Sequence, residues 1–198
     1  MKVLIACEFS QVVCKAFRDK GHDAYSCDIL PTEGNPKWHI QDDILKVLKT
    51  RFAQQLDLLG IHDPCTYQTN SGVRWLHERP GRWELLSESC LFTKALLDFD
   101  VPKRYRENPI PHKYARDLIG RDYDQCIQPH WFIGSSESKA TCLWLRGLPL
   151  LRRTQWLDKY QIKQSVFKMP PSESRGLERS RFPLSIAKAM VEQWGGTG

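Results

Sequence analysis

The sequence predicts an α/β fold, a parallel sheet with helices on both faces, and three observations carry that expectation. Short continuous apolar runs alternate with amphipathic segments through roughly the first hundred residues, as buried strands and their crossover helices do. The runs end in polar or acidic residues, which gathers those residues along one edge of such a sheet. With 198 residues, 41% hydrophobic and 26% charged, the chain has apolar material for a full core and reads as a single domain, 1–198, without repeats or linkers.

Lys2–Cys7 is the first apolar run. Val12–Lys20 carries apolar residues at 12, 13, 16 and 17, a short amphipathic helix closed by Gly21. Asp23–Cys27 is a second strand, ending at Asp28. Asp43–Phe52 repeats Ile44, Leu45, Val47, Leu48 and Phe52 at helical spacing, and Leu56–Ile61 is a strand running into Asp63-Pro64-Cys65. Residues 66–80, rich in Thr, Asn, Ser, Gly and Arg, form a loop. Trp83–Phe99 is the best helix, with Trp83, Leu86, Cys90, Leu91 and Ala95 among its apolar positions. Pro102–Arg106 leads to Glu107 as a strand, although Lys-Arg-Tyr-Arg is a charged composition for a central position. Gln125–Gln128 and Ala140–Leu145 are further strands, and 147–181 is irregular. Pro183–Trp194 closes as a helix, with proline near its first turn and Gly195-Gly196 past its end.

No apolar run approaches the roughly 18–20 residues that span a bilayer, and the opening Met-Lys-Val-Leu-Ile-Ala-Cys is too short for a secretory segment. A cytoplasmic protein with no membrane partner is expected. The cysteines (7, 14, 27, 65, 90, 126 and 142) include no Cys-x-x-Cys, and the histidines are not spaced to complete a zinc site, so reduced thiols and no metal are expected. A net charge of +6 and a pI near 9.0 favour an anionic partner, nucleic acid before membrane. The arginines and lysines between Arg146 and Arg181 follow or surround Trp131, Trp144 and Trp156, a mixture suited to phosphates and splayed bases.

Two motifs carry chemistry. Pro64-Cys65 and Glu107-Asn108-Pro109 each close a strand, with room between them for one long helix and a return to the neighbouring strand. A thiolate adds to C6 of cytosine only when N3 is protonated or hydrogen-bonded, so the ring must meet a nucleophile and a carboxyl acid together. Cys65 is the candidate nucleophile and Glu107 the candidate acid. Asp28, an acid closing the second strand, suits the hydroxyls of a bound ribose.

Together these motifs resemble those of the cytosine-C5 DNA methyltransferases, S-adenosylmethionine-dependent enzymes on a Rossmann-like sheet, and small phage-type members in particular. Glu8-Phe9-Ser10 resembles the first cofactor motif, Asp28 the acid that holds the cofactor ribose, and Asp43-Ile44, preceded by Asp42, the dipeptide facing adenine. Pro64-Cys65 resembles the nucleophile loop and Glu107-Asn108-Pro109 the motif that holds the target base. Glu178-Arg179-Ser180-Arg181-Phe182-Pro183 resembles, more loosely, the final motif. The resemblance implies S-adenosyl-L-methionine bound by Phe9, Ser10, Asp28, Asp43 and Ile44. It implies catalysis by Cys65 and Glu107, substrate contacts from Pro64, Asn108, Arg179 and Arg181, and DNA as partner, with base flipping from a duplex.

Three positions depart from the family pattern. Gln11 stands where glycine is usual and is expected to crowd the cofactor or the turn. Asp63 stands where proline usually precedes Pro-Cys, and a carboxylate there is expected to raise the thiol pKa and weaken the nucleophile. Gln68 follows Cys65 by three positions, whereas the family's glutamine often follows directly. About ninety residues follow Glu107, too few for a separate target-recognition domain, which leaves specificity to loops such as 66–80 and 147–181. Two other readings stay open. One is a catalytically weakened relative that binds nucleic acid or a host protein as a phage counter-defence factor. The other is a methyltransferase of free pyrimidine nucleotide or RNA.

Overall fold

The computed structural model describes residues 1–172 and 175–196, so part of the 147–181 stretch lies outside the described residues. Its strands are β1 (Lys2–Ala6), β2 (Asp23–Asp28), β3 (His39–Gln41), β4 (Leu58–Ile61), β5 (Lys103–Asn108), β6 (Gln125–Ile127) and β7 (Thr141–Arg146). The helices are α1 (Val12–Asp19), α2 (Ile44–Val47), α3 (Asn70–Val73), α4 (Arg82–Asp98), α5 (Lys113–Ile119), α6 (Ser165–Lys168), α7 (Arg175–Ser180) and α8 (Leu184–Trp194). These strands form one sheet in the order β3-β2-β1-β4-β5-β7-β6. This is the Rossmann-like, doubly wound α/β arrangement: strand order reverses at β1 and β4, and such reversals leave a crevice at the strands' carboxyl ends.

Alternation along the central strands sorts the core into two layers. Val3 and Ile5 of β1, with Leu58 and Tyr105, pack against Val13, Cys14 and Phe17 of α1 and Ile186, Met190 and Trp194 of α8. Leu4 and Ala6, with Leu59 and Ile61, pack on the other face against Ile44 of α2, Leu86, Cys90 and Leu96 of α4, and Ala115 and Ile119 of α5. Both faces of the central strands β1 and β4 are therefore buried, which is why their sequences run apolar almost without a break.

The parallel sheet expected from the alternation in the first third is present, and the later strands make the whole sheet mixed. β1 to β5 pair in parallel, but β7 is antiparallel to both β5 and β6. Residues 128–140 join β6 to its neighbour β7 with only a turn of 3₁₀ helix, and strands joined without a crossover helix run antiparallel. The helix expected over Asp43–Phe52 stops at Val47, where the Thr50 hydroxyl bonds back to the Val47 carbonyl at 2.7 Å and the chain turns away. Two elements were not anticipated: β3, a short polar edge strand, and α5, capped by the His112 side chain and by Gly120 at φ 76°. Single helical turns also interrupt the loops expected at 66–80 and 147–181.

Gly60 of β4 marks a close crossing in the sheet. A Cβ there would lie 2.5 Å from the hydroxyl of Tyr105, a fully buried side chain on β5 tethered to His62 Nε2 at 2.9 Å. We expect Gly60→Ala to cost roughly 1–3 kcal/mol, the range for overpacking a rigid core. Tyr105→Phe in the same chain removes the oxygen but leaves ring carbons 2.6 and 2.7 Å from the new Cβ, so it should recover little of that loss. Thermal unfolding of the parent and both variants measures it, and an unchanged midpoint for Gly60→Ala would rule out the close approach.

Candidate active site

The carboxyl ends of the strands open into a cleft of about 1420 Å³. The ends of β1, β2, β4 and β5 line it, together with residues from the 66–82 segment and from Gly176 to Phe182. Sites for one small molecule occupy roughly 300–1,000 Å³, so this cleft has room for a cofactor and a base together. Phe9, Ser10, Asp28, Asp43, Ile44, Pro64, Cys65, Glu107, Arg179 and Arg181 all line it. Asn108 does not. It is buried, and its Nδ2 donates to the Asp63 carbonyl at 3.2 Å, so it braces the loop that carries Cys65.

Asp63 explains both its own departure from the family pattern and the odd charge of β5. Its side chain and that of Arg106 are wholly buried. Arg106 Nε donates to Oδ1 at 2.5 Å and Nη2 to Oδ2 at 2.9 Å, a bidentate pair. Thr93 of α4 donates to Oδ2 at 2.6 Å, and Gln68 Oε1 accepts from Arg106 Nη2 at 2.6 Å. Gln68 Nε2 in turn reaches the Thr93 and Ser89 hydroxyls at 2.8 and 2.9 Å. The guanidinium also lies over Trp144, its cross-strand neighbour, 4.3 Å from the ring centroid. One network therefore binds the nucleophile loop to β5, β7 and α4, and Gln68 finds its place within it. The carboxylate is paired with Arg106, yet as expected it still acts to raise the Cys65 thiol, behind burial and Glu107.

Burial is the main reason the Cys65 thiol stands above its ordinary pKa; Glu107 comes next and Asp63 after it. Burial likewise pushes Glu107 up to about 7, with Lys139 and Arg106 acting to lower it. Glu107 thus holds its proton near neutral pH more than a surface glutamate does. Lys139, brought in by the strand-to-strand segment before β7, lies close enough to Glu107 and Cys65 to be felt by both. Its Nζ donates to the carbonyls of Arg179 and Arg181 at 2.8 and 3.0 Å. His62 is packed, with its ring 4.8 Å from that of Phe182; burial pushes the imidazole down to about 3, so it is neutral.

On the other side of the cleft, the turn after β1 begins and ends in left-handed backbone, at Cys7 (φ 59°) and Gln11 (φ 57°). Glycine suits such positions, which is the physical reason the family pattern has it. Gln11 does not crowd the cleft as expected. Its buried side chain turns away to bond Ser26 Oγ at 3.1 Å, the Asn35 carbonyl at 3.0 Å and the Asn35 amide at 2.7 Å. The Glu8 carboxylate caps α1, accepting from the amides of Val13 and Cys14 at 2.6 and 3.1 Å. Asp43 caps α2 through Leu45 N at 2.9 Å and still lines the cleft. Asp28 accepts from Leu30 N with Oδ1 alone; its Oδ2 has no donor among the described residues. Beside it Ile29 is 72% exposed, an apolar surface left open at the cleft.

The C-terminal segment straps across the cleft. Arg181 forms a bidentate pair with Glu33 at 2.6 and 2.8 Å, and Glu33 N donates to the Phe9 carbonyl at 3.0 Å. Arg181 is thereby tied to Glu33 while it still lines the cleft. Arg179 lines the cleft with an exposed side chain. Arg106 and Lys139 were missed by sequence reasoning. A charged residue in a buried strand does signal a buried partner, whereas Lys139, within Ser-Glu-Ser-Lys, carries no signal at all.

Among the described residues no cluster of His, Cys, Asp or Glu is placed to hold a metal ion, and no helix is long and apolar enough to cross a membrane. No family model and no curated protein matches the chain. Among solved structures, 72% of the chain is similar to a protein from E. coli described as an inferred DNA modification methyltransferase encoded within a prophage, at 14% identity and a TM-score of 0.41. The chain covers 45% of that structure, less than half its length.

We expect Arg106→Met to destabilise the protein by about 3–5 kcal/mol, because it leaves the Asp63 charge buried and unpaired. Adding Asp63→Asn to that variant should recover part of the loss by removing the charge. Asp63→Pro, which restores the family pattern, should destabilise as well and not activate. Urea unfolding of the four proteins provides the check; a single Arg106→Met variant within about 1 kcal/mol of the parent would show that the pair holds nothing in place.

Proposed function

We propose that this protein is an S-adenosylmethionine-dependent methyltransferase acting on C5 of cytosine in DNA. One observation carries the reading: Cys65 and Glu107, from the ends of the neighbouring parallel strands β4 and β5, line one cleft within electrostatic reach of each other. In this reading the Cys65 sulfur gives its electron pair to C6 while Glu107 delivers a proton to N3, so negative charge does not accumulate on the ring. The network around Asp63 and Arg106 holds the two groups in register, and Lys139 offsets the negative charge between them. Gln11 and Asp63 have structural contacts of their own, which supports an enzyme over a weakened relative.

The cofactor side of the cleft fits S-adenosyl-L-methionine. Asp28 offers a carboxylate oxygen free of protein donors for the ribose hydroxyls, and Ile29 and Ile44 offer apolar surface for adenine. When bound, the cofactor supplies the methyl group. Losing a charged acceptor for the ribose hydroxyls costs roughly 1–3 kcal/mol, so Asp28→Ala should weaken cofactor binding about tenfold. Calorimetric titration of S-adenosylmethionine and S-adenosylhomocysteine decides; equal affinity in parent and variant removes Asp28 from the pocket.

Covalent trapping tests the chemistry. With cofactor and DNA carrying 5-fluorocytosine, a stable protein–DNA adduct should form at Cys65, because fluorine cannot leave as the C5 proton does. Cys65→Ser should abolish the adduct and Glu107→Gln should slow it by roughly 10²–10⁴-fold. The productive pair, thiolate with protonated Glu107, has one proton fewer than the fully protonated site. Activity should therefore rise with pH through about 7, as that proton is lost, and fall only above the raised pKa of Cys65. Mass spectrometry that finds no adduct on cofactor-bound protein, with DNA, RNA or free nucleotide, would falsify the C5 chemistry.

A further inference from the structure

The segment between the nucleophile loop and α4 carries cations that the chain does not neutralise. Arg74 and Arg79 lie over the ring of Trp75, at 4.4 and 4.1 Å from its centroid, and Arg82 lies over Tyr67 at 4.6 Å. None of the three pairs with a carboxylate among the described residues, although Glu78 and Glu84 are close in sequence. By contrast Arg18, Arg106, Arg116, Arg121, Arg146 and Arg181 each take an acid.

Stacking on an aromatic face orients a guanidinium without using its N–H groups, so the planar fork stays available to an anion. Arg74 and Arg79 are exposed, and Trp75 and Arg79 line the same cleft as Cys65. The platform also abuts the nucleophile loop. Gly72 packs so closely on Thr66, the residue after Cys65, that a Cβ would overlap the Thr66 carbonyl. Arg82 Nη2 donates to the Gly72 carbonyl at 3.2 Å and ties α4 to that turn.

We propose that Arg74 and Arg79, held on Trp75, bind the phosphodiesters of the polynucleotide strand that presents its base to Cys65. The proposal rests on the pyrimidine-attacking reading of the cleft and narrows its substrate to a polymer in place of a free nucleotide. Arg79 at the cleft and the exposed Arg74 beside it, oriented by one ring, suit phosphates that flank a base seated deeper, whereas a mononucleotide's single phosphate leaves one of them unmatched.

Fluorescence anisotropy with a labelled single-stranded oligodeoxynucleotide, titrated over a range of sodium chloride concentrations, is the test. On a single strand each phosphate contact contributes about 0.7 to the slope of log affinity against log salt. The Arg74→Gln/Arg79→Gln variant should therefore lower that slope by about 1.4 and weaken binding about tenfold or more at low salt. Trp75→Leu keeps both charges but releases them, and should weaken binding severalfold. A double variant with the parent's slope and affinity overturns the proposal, as does a parent that does not bind the strand. Adduct formation at Cys65 is read separately. Normal trapping with an unchanged slope removes the clamp alone, while lost trapping with a salt-dependent clamp intact removes the C5 chemistry alone.

Discussion

Between β4 and β5 the guanidinium of Arg106 and the carboxylate of Asp63 lie wholly out of water, and the strands that carry Cys65 and Glu107 meet around them. A buried ion pair is a poor source of net stability, because desolvation offsets most of the attraction. Its effect here is geometric. Two parallel N–H···O bonds admit one relative placement of loop and strand, and Thr93, Gln68 and Trp144 close off most of the alternatives. Among the described residues one guanidinium donor, Nη1, has no hydrogen-bond partner, and the guanidinium lies over Trp144. Breaking the pair would release the nucleophile loop from the sheet before it changed any group that meets a ligand.

The half of the cleft beside β1 and β2 is held by different means. Its turn after β1 stores left-handed backbone at Cys7 and Gln11, a conformation costing on the order of 1–2 kcal/mol for a residue with a side chain. Bonds from Gln11 to Ser26 and Asn35 offset that cost and fix the loop that carries Glu33. Glu33 then receives Arg181, so the strap over the cleft is fastened to the turn beneath it. Lys139 fastens the same strap from the side of Glu107.

How much of this was legible in the sequence depended on period and on local punctuation. β1, α1, α4 and α8 could be read because apolar spacing and Gly or Pro at their ends agree. β3 is too short and too polar to show a period, and α5 has only Ala115 and Ile119 to mark its buried face. The direction of β7 depends on what its neighbours are, which no local pattern records. At the site, strand-end residues such as Asp28 and Cys65 were readable from position alone. The roles of Asp63, Gln11 and Arg181 were not, because each is set by a partner at least 24 positions away: Arg106, Asn35 and Glu33.

Burial that raises the Cys65 thiol also governs what happens to it when no pyrimidine is present. Peroxides and alkylating agents attack the thiolate, and at neutral pH this sulfur is overwhelmingly protonated. Cys7, Cys14, Cys27, Cys90 and Cys142 are shifted in the same direction by burial. Near neutral pH each of these sulfurs thus holds less thiolate, the form that oxidants attack, than an exposed cysteine would.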